Sequence, residues 1–325
     1  MNNQILSIII ATKNRVPYCI NAINSILKIP DLDFELVVQD NSDNLELRDY
    51  VLANISDKRL VYNYTPPPFS SIDNFNAAFN LASGEYLCMI GDDDGINPEI
   101  LDAVRWAKKN NIDSLCPKIY ASYIWPNSVN EYSTGYLSLE KFTGNIFNVN
   151  PKKQLHKLVK NGFINYLDFR LPKVYHGIIK RSCFLEIKSI TGYYFGGLSP
   201  DIYAAVALSN IVKNHYMIDY PLTISGVCGA STTVANLQGT HAGKLESAPH
   251  FRNRDGYIWD ENIPKYYSVH TIWAESAIKA LKELNIKNEI KKFNIHKLVA
   301  MSLFYNRNIT KIIFAKTSEM LNSLS

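Results

Sequence analysis

The 325-residue chain is 46% hydrophobic and 20% charged, a globular balance that argues against a disordered or fibrous protein and leaves room for one large domain or a domain with an extension. Its five cysteines stand singly with no C-x-x-C pair, which argues against a cysteine zinc site or a disulfide framework and for a reducing compartment. A formal charge of +4 does not suit a nucleic-acid-binding core. No apolar run reaches the length of a membrane span and no secretory leader is visible, so a cytosolic protein is expected.

Residues 6–11 form a β-branched run that reads as a first buried strand, with the polar loop Thr12-Lys-Asn-Arg15 at its C-terminal end. Apolar residues recur at helical spacing over 17–27 (Cys19, Ile20, Ile23, Ile26, Leu27). A second strand is expected over 34–39, followed by Asp40-Asn-Ser-Asp43, then a helix over 45–54 and a third strand over 59–64 stopped by Pro66-Pro67-Pro68. Residues 71–83 read as a helix with Ile72, Phe75, Ala78, Phe79 and Ala82 on one face. The apolar run 86–90 is a strand that ends in Gly91-Asp-Asp-Asp-Gly95. A helix over 99–110 and a strand over 114–119 follow. This alternation implies a mostly parallel sheet with both faces covered, in which ligands bind at the carboxyl ends of strands. Three polar clusters, at 12–15, 40–43 and 92–94, fall at three such ends.

Residues 120–171 are aromatic and polar with weak periodicity, and their elements cannot be assigned from pattern. Residues 174–180 read as a strand rejoining the sheet. Gly196-Gly-Leu-Ser-Pro-Asp201 is a turn opening a helix through Leu208, with Ser199 as N-cap and Pro200 as first helical residue. Residues 216–227 are strand or loop, 231–251 are polar and Gly-rich, and 266–324 are helical by pattern. From Lys265 onward ten basic residues face four acidic ones, a basic tail on a near-neutral body.

Three adjacent carboxylates at a strand tip repel one another, so either they form a solvated acidic turn or helix cap, or a cation sits among them. A hard divalent ion with a phosphate completing its shell is the natural cation. Leu6-Ser-Ile-Ile-Ile-Ala-Thr-Lys-Asn-Arg15, Leu36-Val-Val-Gln-Asp-Asn-Ser42, Asn76, Ala82-Ser-Gly-Glu-Tyr86 and Gly91-Asp-Asp-Asp94, taken in this order and spacing, resemble glycosyltransferase family 2. The resemblance covers residues 5–120 firmly and 174–208 more loosely.

The resemblance implies an α/β GT-A fold over residues 1–250, with a nucleotide-sugar-binding half (1–120) and an acceptor-binding half (121–250), and a mainly helical extension over 251–325. It implies an inverting glycosyltransferase dependent on Mn²⁺ or Mg²⁺. Its donor would be a nucleotide-diphosphate sugar, UDP being the commonest nucleotide in the family. Its acceptor would be a saccharide hydroxyl, as in bacterial O-antigen or capsule synthesis on polyprenyl-diphosphate lipids. Within that resemblance Asp92, Asp93 and Asp94 match the DXD motif, with Asp94 on the metal and Asp92 on the metal, ribose or sugar. Thr12, Asn14 and Arg15 match first-loop contacts to the nucleoside and phosphates. Asp40 matches the aspartate that receives the nucleobase N–H, with a local Asx turn as the alternative. Asn76 matches a donor-side asparagine, although Phe75 stands where many members carry arginine. Asp201 matches the late acidic motif and is the candidate base, against the alternative that it caps helix amides. Pro200-Asp201 replaces the Glu-Asp of many members, and Asp168 is the second candidate base. His241 and Lys244 would reach the metal or diphosphate from a mobile loop, with His176 and His250 behind them.

The basic tail has two readings: helices that lie on the inner face of an anionic membrane, or a helical cap or dimer contact. Two rival functions remain. A sugar-nucleotide nucleotidylyltransferase would want a Gly-rich first loop with arginine, unlike Ala-Thr-Lys-Asn-Arg; a non-catalytic nucleotide-sugar-binding module is disfavoured by the intact aspartates. G-x-G-x-x-G, H-E-x-x-H and G-x-S-x-G patterns are absent, against dehydrogenase, zincin and α/β-hydrolase readings.

Overall fold

The structure is a computed structural model, and it describes residues 4–118, 121–128, 132–229 and 242–324. The N-terminal half alternates β1 (Leu6–Thr12), α1 (Val16–Leu27), β2 (Phe34–Asp40), α2 (Glu46–Asn54), β3 (Leu60–Tyr64), α3 (Ser71–Leu81) and β4 (Tyr86–Ile90). The short β5 (Gly95–Ile96), α4 (Ile100–Lys109) and β6 (Ser114–Pro117) come next. The middle holds β7 (Ala121–Ile124), β8 (Tyr136–Leu139), β9 (Ile146–Asn148), α5 (Pro151–Lys160) and a 3₁₀ turn at Tyr166–Asp168. Then follow β10 (Ile178–Lys180), α6 (Arg181–Thr191), α7 (Pro200–Ile211), β11 (His215–Ile218), β12 (Thr223–Val227), β13 (Ala242–Lys244) and β14 (Tyr266–Ser268). The chain closes with α8 (Val269–Glu283), α9 (Lys287–Ile290), α10 (Ile295–Tyr305) and α11 (Thr310–Leu324).

Eight strands form one sheet in the order β3-β2-β1-β4-β10-β6-β11-β9. β3, β2, β1 and β4 are mutually parallel, and so are β6 and β11; β10 runs antiparallel to both its neighbours and β9 antiparallel to β11. The first three strands add outward on one side of β1, and β4 is then laid on the other side. That reversal makes the gap between the tips of β1 and β4 the switch point at which such sheets bind ligands.

The consecutive apolar residues of the inner strands follow from burial on both faces. Ile8, Ile10, Leu36, Val38, Cys88 and Ile90 share a core with α1, α2 and α4. Ile9, Val37, Leu87 and Met89 turn to the other face, against α3, α6 and α7. α7 is buried nearly all round, from Ile202 to Ser209, between α5, α6 and α8. α8 opens with a reciprocal Ser268–Thr271 capping box and shares its core with α5 and α7, so the C-terminal helices are tied to the body through buried side chains.

The expected strand over 174–180 is shorter. Only Ile178–Lys180 is strand, because a tight turn at Lys173–Gly177 precedes it: a Cβ on Gly177 would lie 2.1 Å from the Lys173 carbonyl oxygen. Residues 174–176 instead lie along the tip of β4, where the Met89 amide donates to Val174 and the His176 amide to Met89. The 216–227 stretch is two strands belonging to different sheets. β11 joins the large sheet, while β12 joins a second one ordered β5-β12-β7-β8. Within 266–324 the expected helices are present, preceded by β14, which pairs with β13.

Glu35, Ser7 and Gly84 lock the entry to β4. The buried Glu35 carboxylate accepts from the Ser7 hydroxyl (2.6 Å) and the Ser83 amide (2.6 Å), and the Gly84 amide donates to Ser7 Oγ (2.8 Å). A Cβ at Gly84 would lie 2.5 Å from the Ser7 backbone nitrogen, which cannot move without breaking β1 pairing. Gly84→Ala is expected to destabilise the fold by about 2–3 kcal/mol, read as a fall in the denaturant midpoint.

Candidate active site

The aspartate triplet sits at the switch point and is buried: Asp92, Asp93 and Asp94 are 3%, 6% and 6% exposed. Three carboxylates in that position need donors, and the structure supplies them from four segments. The Thr12 hydroxyl, at the tip of β1, donates to Asp92 Oδ2 (2.6 Å). Arg15 spans two of the carboxylates, with Nε 3.0 Å from Asp92 Oδ1 and Nη2 2.8 Å from Asp93 Oδ1, and Nη2 also donates to Cys228 Sγ (2.8 Å). The Cys228 amide donates to Asp93 Oδ2 (3.2 Å), and the Gly226 and Gly91 amides to Asp94 Oδ1 and Oδ2 (2.6 Å each). Trp125 Nε1 holds the Asp93 carbonyl (2.8 Å). The second sheet therefore exists at this point as a clamp, since β12 and the end of β7 carry these donors.

Charge and burial oppose each other here. Burial works against the Arg15 charge, but Asp92 and Asp93 outweigh it and hold the guanidinium's pKa above its usual value. Burial pushes the Asp92 carboxyl up to about 6, against the pull of Arg15 and the Thr12 hydroxyl. Arg15 is thus the resident counter-charge for two of the three aspartates. Asp94 has no arginine; its charge is met by two amides, by the Tyr175 hydroxyl (3.3 Å) and by His176 Nε2 (3.4 Å).

Tyr175 and His176 come from the turn before β10. His176 adopts a left-handed backbone (φ 61°), is buried, and turns Nδ1 to the Thr223 hydroxyl (2.9 Å). Burial lowers its pKa, so the imidazole is biased toward the neutral form. Tyr175 lies within the electrostatic reach of Asp94 and of Asp201 alike, and burial keeps its phenol protonated.

Asp201 occupies the first turn of α7, after Pro200. Ser199 is the N-cap residue, but its side chain makes no capping bond. No side-chain hydrogen bond to Asp201 is present among the described residues, so the carboxylate does not cap helix amides. Burial pushes its pKa up to about 6, opposed by the Lys173 ammonium. Burial in turn lowers the Lys173 pKa, against the charges of Cys116, Asp168 and Asp201. Asp168 is exposed on its 3₁₀ turn, so it lacks the enclosure that raises Asp201.

The other expected site residues are placed as follows. Asn14 stitches the first two loops together, its amide donating to Asp43 Oδ2 (2.6 Å) and its oxygen accepting from the Asp43 amide (2.8 Å). Asp40 is fully buried; one oxygen closes an Asx turn with the Ser42 amide (2.8 Å) and the other accepts from the Tyr62 hydroxyl (2.7 Å). Asn76 does not face the aspartates: its amide group binds the Ile72 and Phe195 carbonyls and accepts from the Tyr194 and Phe195 amides, stapling α3 to the segment before α7. Lys244 is exposed on β13, paired with β14, and no contact joins it to the aspartates among the described residues. His250 packs against Tyr267 (5.8 Å). His241 lies outside the described residues. Sequence reading passed over Tyr175, Trp125, Gly226 and Cys228 and ranked His176 low. The signal for the first is Tyr-His-Gly directly before the buried run of β10.

The donor set fits a hard divalent cation in one respect. Among the described residues no three carboxylate, imidazole or thiol groups converge to hold an ion. Magnesium-like ions beside phosphates take only one or two carboxylates and fill the shell with phosphate oxygens and water, and Asp94, rigid and without an arginine, is the carboxylate suited to that role.

A family model for glycosyl transferase family 2 matches residues 7–174, half of the chain, including every residue of the triplet. The chain belongs to glycosyl transferase family 2. A putative colanic acid biosynthesis glycosyl transferase, WcaA, of Escherichia coli strain K12 is 33% identical over 102 residues, spanning 31% of this chain and 36% of that protein. The chain thus matches about a third of the length of that curated relative. Among solved structures, S. aureus TarS 1-349 in complex with UDP-GlcNAc superposes with a TM-score of 0.51 at 16% identity, over 94% of this chain and 90% of that one. A longer S. aureus TarS chain gives 0.50 at 14% identity, over 94% and 55%. At these identities the likeness shows a shared GT-A-type fold.

Two substitutions separate the roles. A Cβ at Gly226 would lie 1.9 Å from the Asp93 carbonyl oxygen, so Gly226→Ala must push β12 off the triplet. It is expected to lower kcat/KM for transfer by about 100-fold, as expected for a roughly ångström-scale misplacement. Asn76→Ala is expected to cost about 2–3 kcal/mol of stability through its unpaired amides while leaving donor affinity within about twofold, as for a group outside the site; thermal melts and donor titration check the pair.

Proposed function

We propose that the chain is an inverting, metal-dependent glycosyltransferase that moves a sugar from a nucleoside-diphosphate donor to a saccharide hydroxyl. The observations that carry the proposal are a buried carboxylate triplet at the switch point, satisfied by Arg15, Thr12 and backbone amides, and a separate carboxylate, Asp201, whose pKa burial lifts to about 6. The first suits an anionic leaving group and its cation; the second suits a general base near neutral pH. UDP is the proposed nucleotide, supported by its frequency in the family and by the UDP-GlcNAc bound to the TarS neighbour. The proposed acceptor is a saccharide on a polyprenyl-diphosphate lipid at the cytoplasmic membrane face, in surface polysaccharide synthesis, in keeping with the colanic acid relative.

In this reading Asp201 takes the proton of the acceptor hydroxyl as that oxygen forms a bond to the anomeric carbon. The bond from that carbon to the diphosphate oxygen breaks on the opposite face, inverting configuration. Thr12 and Arg15 line the leaving-group side and Asp92 and Asp93 hold Arg15 in place. A Mn²⁺ or Mg²⁺ ion on Asp94 would neutralise the charge that builds on the departing diphosphate. Residues 1–120 form the donor half, 121–250 the acceptor half, and 251–325 a helical extension.

The test is a panel of nucleotide sugars with Mn²⁺ or Mg²⁺, read by nucleotide release and product analysis. Asp201→Asn is expected to lose transfer by about 10³-fold, in the range of a general base, with donor affinity kept. Full transfer by this variant contradicts the role. The wild-type rate should fall as pH drops through about 6, where the Asp201 carboxylate protonates. Stability should move the opposite way. A carboxyl raised above its unfolded value penalises the fold above about pH 4, and fully above pH 6. Asp201→Asn should therefore stabilise the protein by about 1–2 kcal/mol at pH 7.5, a gain that vanishes near pH 4, measured by denaturant midpoints.

A further inference from the structure

The C-terminal helix pair carries a surface that glycosyl transfer does not use. α10 and α11, joined by the 3₁₀ turn Arg307–Ile309, turn Leu298, Ile309, Ile313 and Met320 inward, where Ile309 and Ile313 pack on Tyr266. Their outer faces expose large apolar side chains: Phe304 and Phe314 are each 60% exposed. Lys297, Arg307 and Lys311 are exposed beside them, and the Arg307 guanidinium lies 5.7 Å from the Phe304 ring centre. On α11, Lys311, Phe314, Ala315 and Ser318 follow helical spacing along one exposed strip. From residue 291 to 318 the sequence holds six Lys or Arg and no Asp or Glu. Lys292 pairs back to Glu289 and Lys316 onward to Glu319, whereas Lys297, Arg307 and Lys311 make no ion pair among the described residues.

We infer that this outer face of α10 and α11 is a docking surface for an anionic lipid bilayer, with Phe304 and Phe314 entering the headgroup boundary and Lys297, Arg307 and Lys311 meeting lipid phosphates. The composition selects the partner. Aromatic side chains set among lysines, with Glu319 as the carboxylate at the far end of the strip and paired to Lys316, match an interfacial helix on acidic lipid. Protein interfaces are depleted in lysine. A two-fold contact with a second copy would set the same unpaired cations against themselves. No described helix is long and apolar enough to cross a membrane, so the contact lies at the surface of the bilayer. The inference does not depend on the donor or the metal, and its test is independent of transfer.

Full-length protein is sedimented with vesicles of phosphatidylcholine alone or mixed with phosphatidylglycerol. Binding is expected to the mixed vesicles and to be released by high salt. Lys297→Glu/Arg307→Glu/Lys311→Glu should lose about 100-fold in partitioning, at roughly fivefold for each basic residue near an anionic surface. Should that variant fail to give a wild-type melt, the corresponding Gln triple variant is used, with the same direction expected. Phe304→Ser/Phe314→Ser should weaken binding at low salt with its charge unchanged, and both variants should keep a wild-type circular dichroism spectrum. The inference is overturned by equal wild-type binding to neutral and mixed vesicles, by no binding to either, or by charge variants that bind like wild type. It is equally overturned if light scattering shows a dimer that Phe314→Ser dissolves while vesicle binding is absent.

Discussion

Three carboxylates buried at the end of a buried strand are the constraint on which the rest of this structure turns. Leaving one such charge unpaired in a protein interior costs about 3–5 kcal/mol, and three in sequence repel one another besides. Arg15 meets that demand by bridging Asp92 and Asp93, and its own burial is tolerated only because the two carboxylates surround it. Thr12 and three backbone amides satisfy the remaining oxygens. The topology follows from the same demand. β1 must end beside β4 to deliver Thr12 and Arg15, and β12 must cross above to deliver the Gly226 and Cys228 amides.

The second sheet and the turn before β10 are consequences of this need for donors. β5 leaves directly from Asp94, pairs with β12, and so fixes the far side of the triplet to the strand that clamps it. The Tyr175–His176 turn folds back over β4 and faces Asp94, the one aspartate that Arg15 does not reach. The Tyr175 phenol also feels the charge of Asp201, which stands in the first turn of α7, ahead of its buried stretch Ile202–Ser209. Burial raises the pKa of the acid at that position, and Lys173, the cation that opposes the shift, has its own pKa lowered by burial.

Much of the N-terminal half was legible because period and punctuation agree there. β1, β2 and β4 are continuous apolar runs ended by polar tips, and their bounds fall within a residue of those expected. The same signals fail in the middle for physical reasons. β8 is an exposed edge with no buried face to impose alternation, and β9 is three residues long. The convergence of Thr12, Arg15 and the triplet was legible because strand tips announced them, while Asp201 was announced by the Ser-Pro-Asp opening of a helix. Asp40 makes the Asx turn its local sequence allows, whereas the bond from Tyr62 and the Asn76 bonds to Tyr194 and Phe195 join residues 22 to 119 positions apart that no local pattern discloses. Gly226, Trp125 and Cys228 were invisible because their contacts to Asp93 and Asp94 span 32 to 135 positions.

The account rests on the triplet being the anchor of a donor diphosphate, with Asp94 as the carboxylate that carries its cation. Calorimetric titration of UDP, with and without Mn²⁺, into the wild type and Asp94→Asn tests this most directly. The substitution keeps the shape of the side chain and removes its charge. The account predicts that Mn²⁺ tightens wild-type binding by about 100-fold or more, a charge-assisted contact of roughly 3 kcal/mol, and that Asp94→Asn abolishes this gain while still binding UDP without metal. Binding of UDP with equal affinity in both proteins, whether or not Mn²⁺ is present, would contradict it.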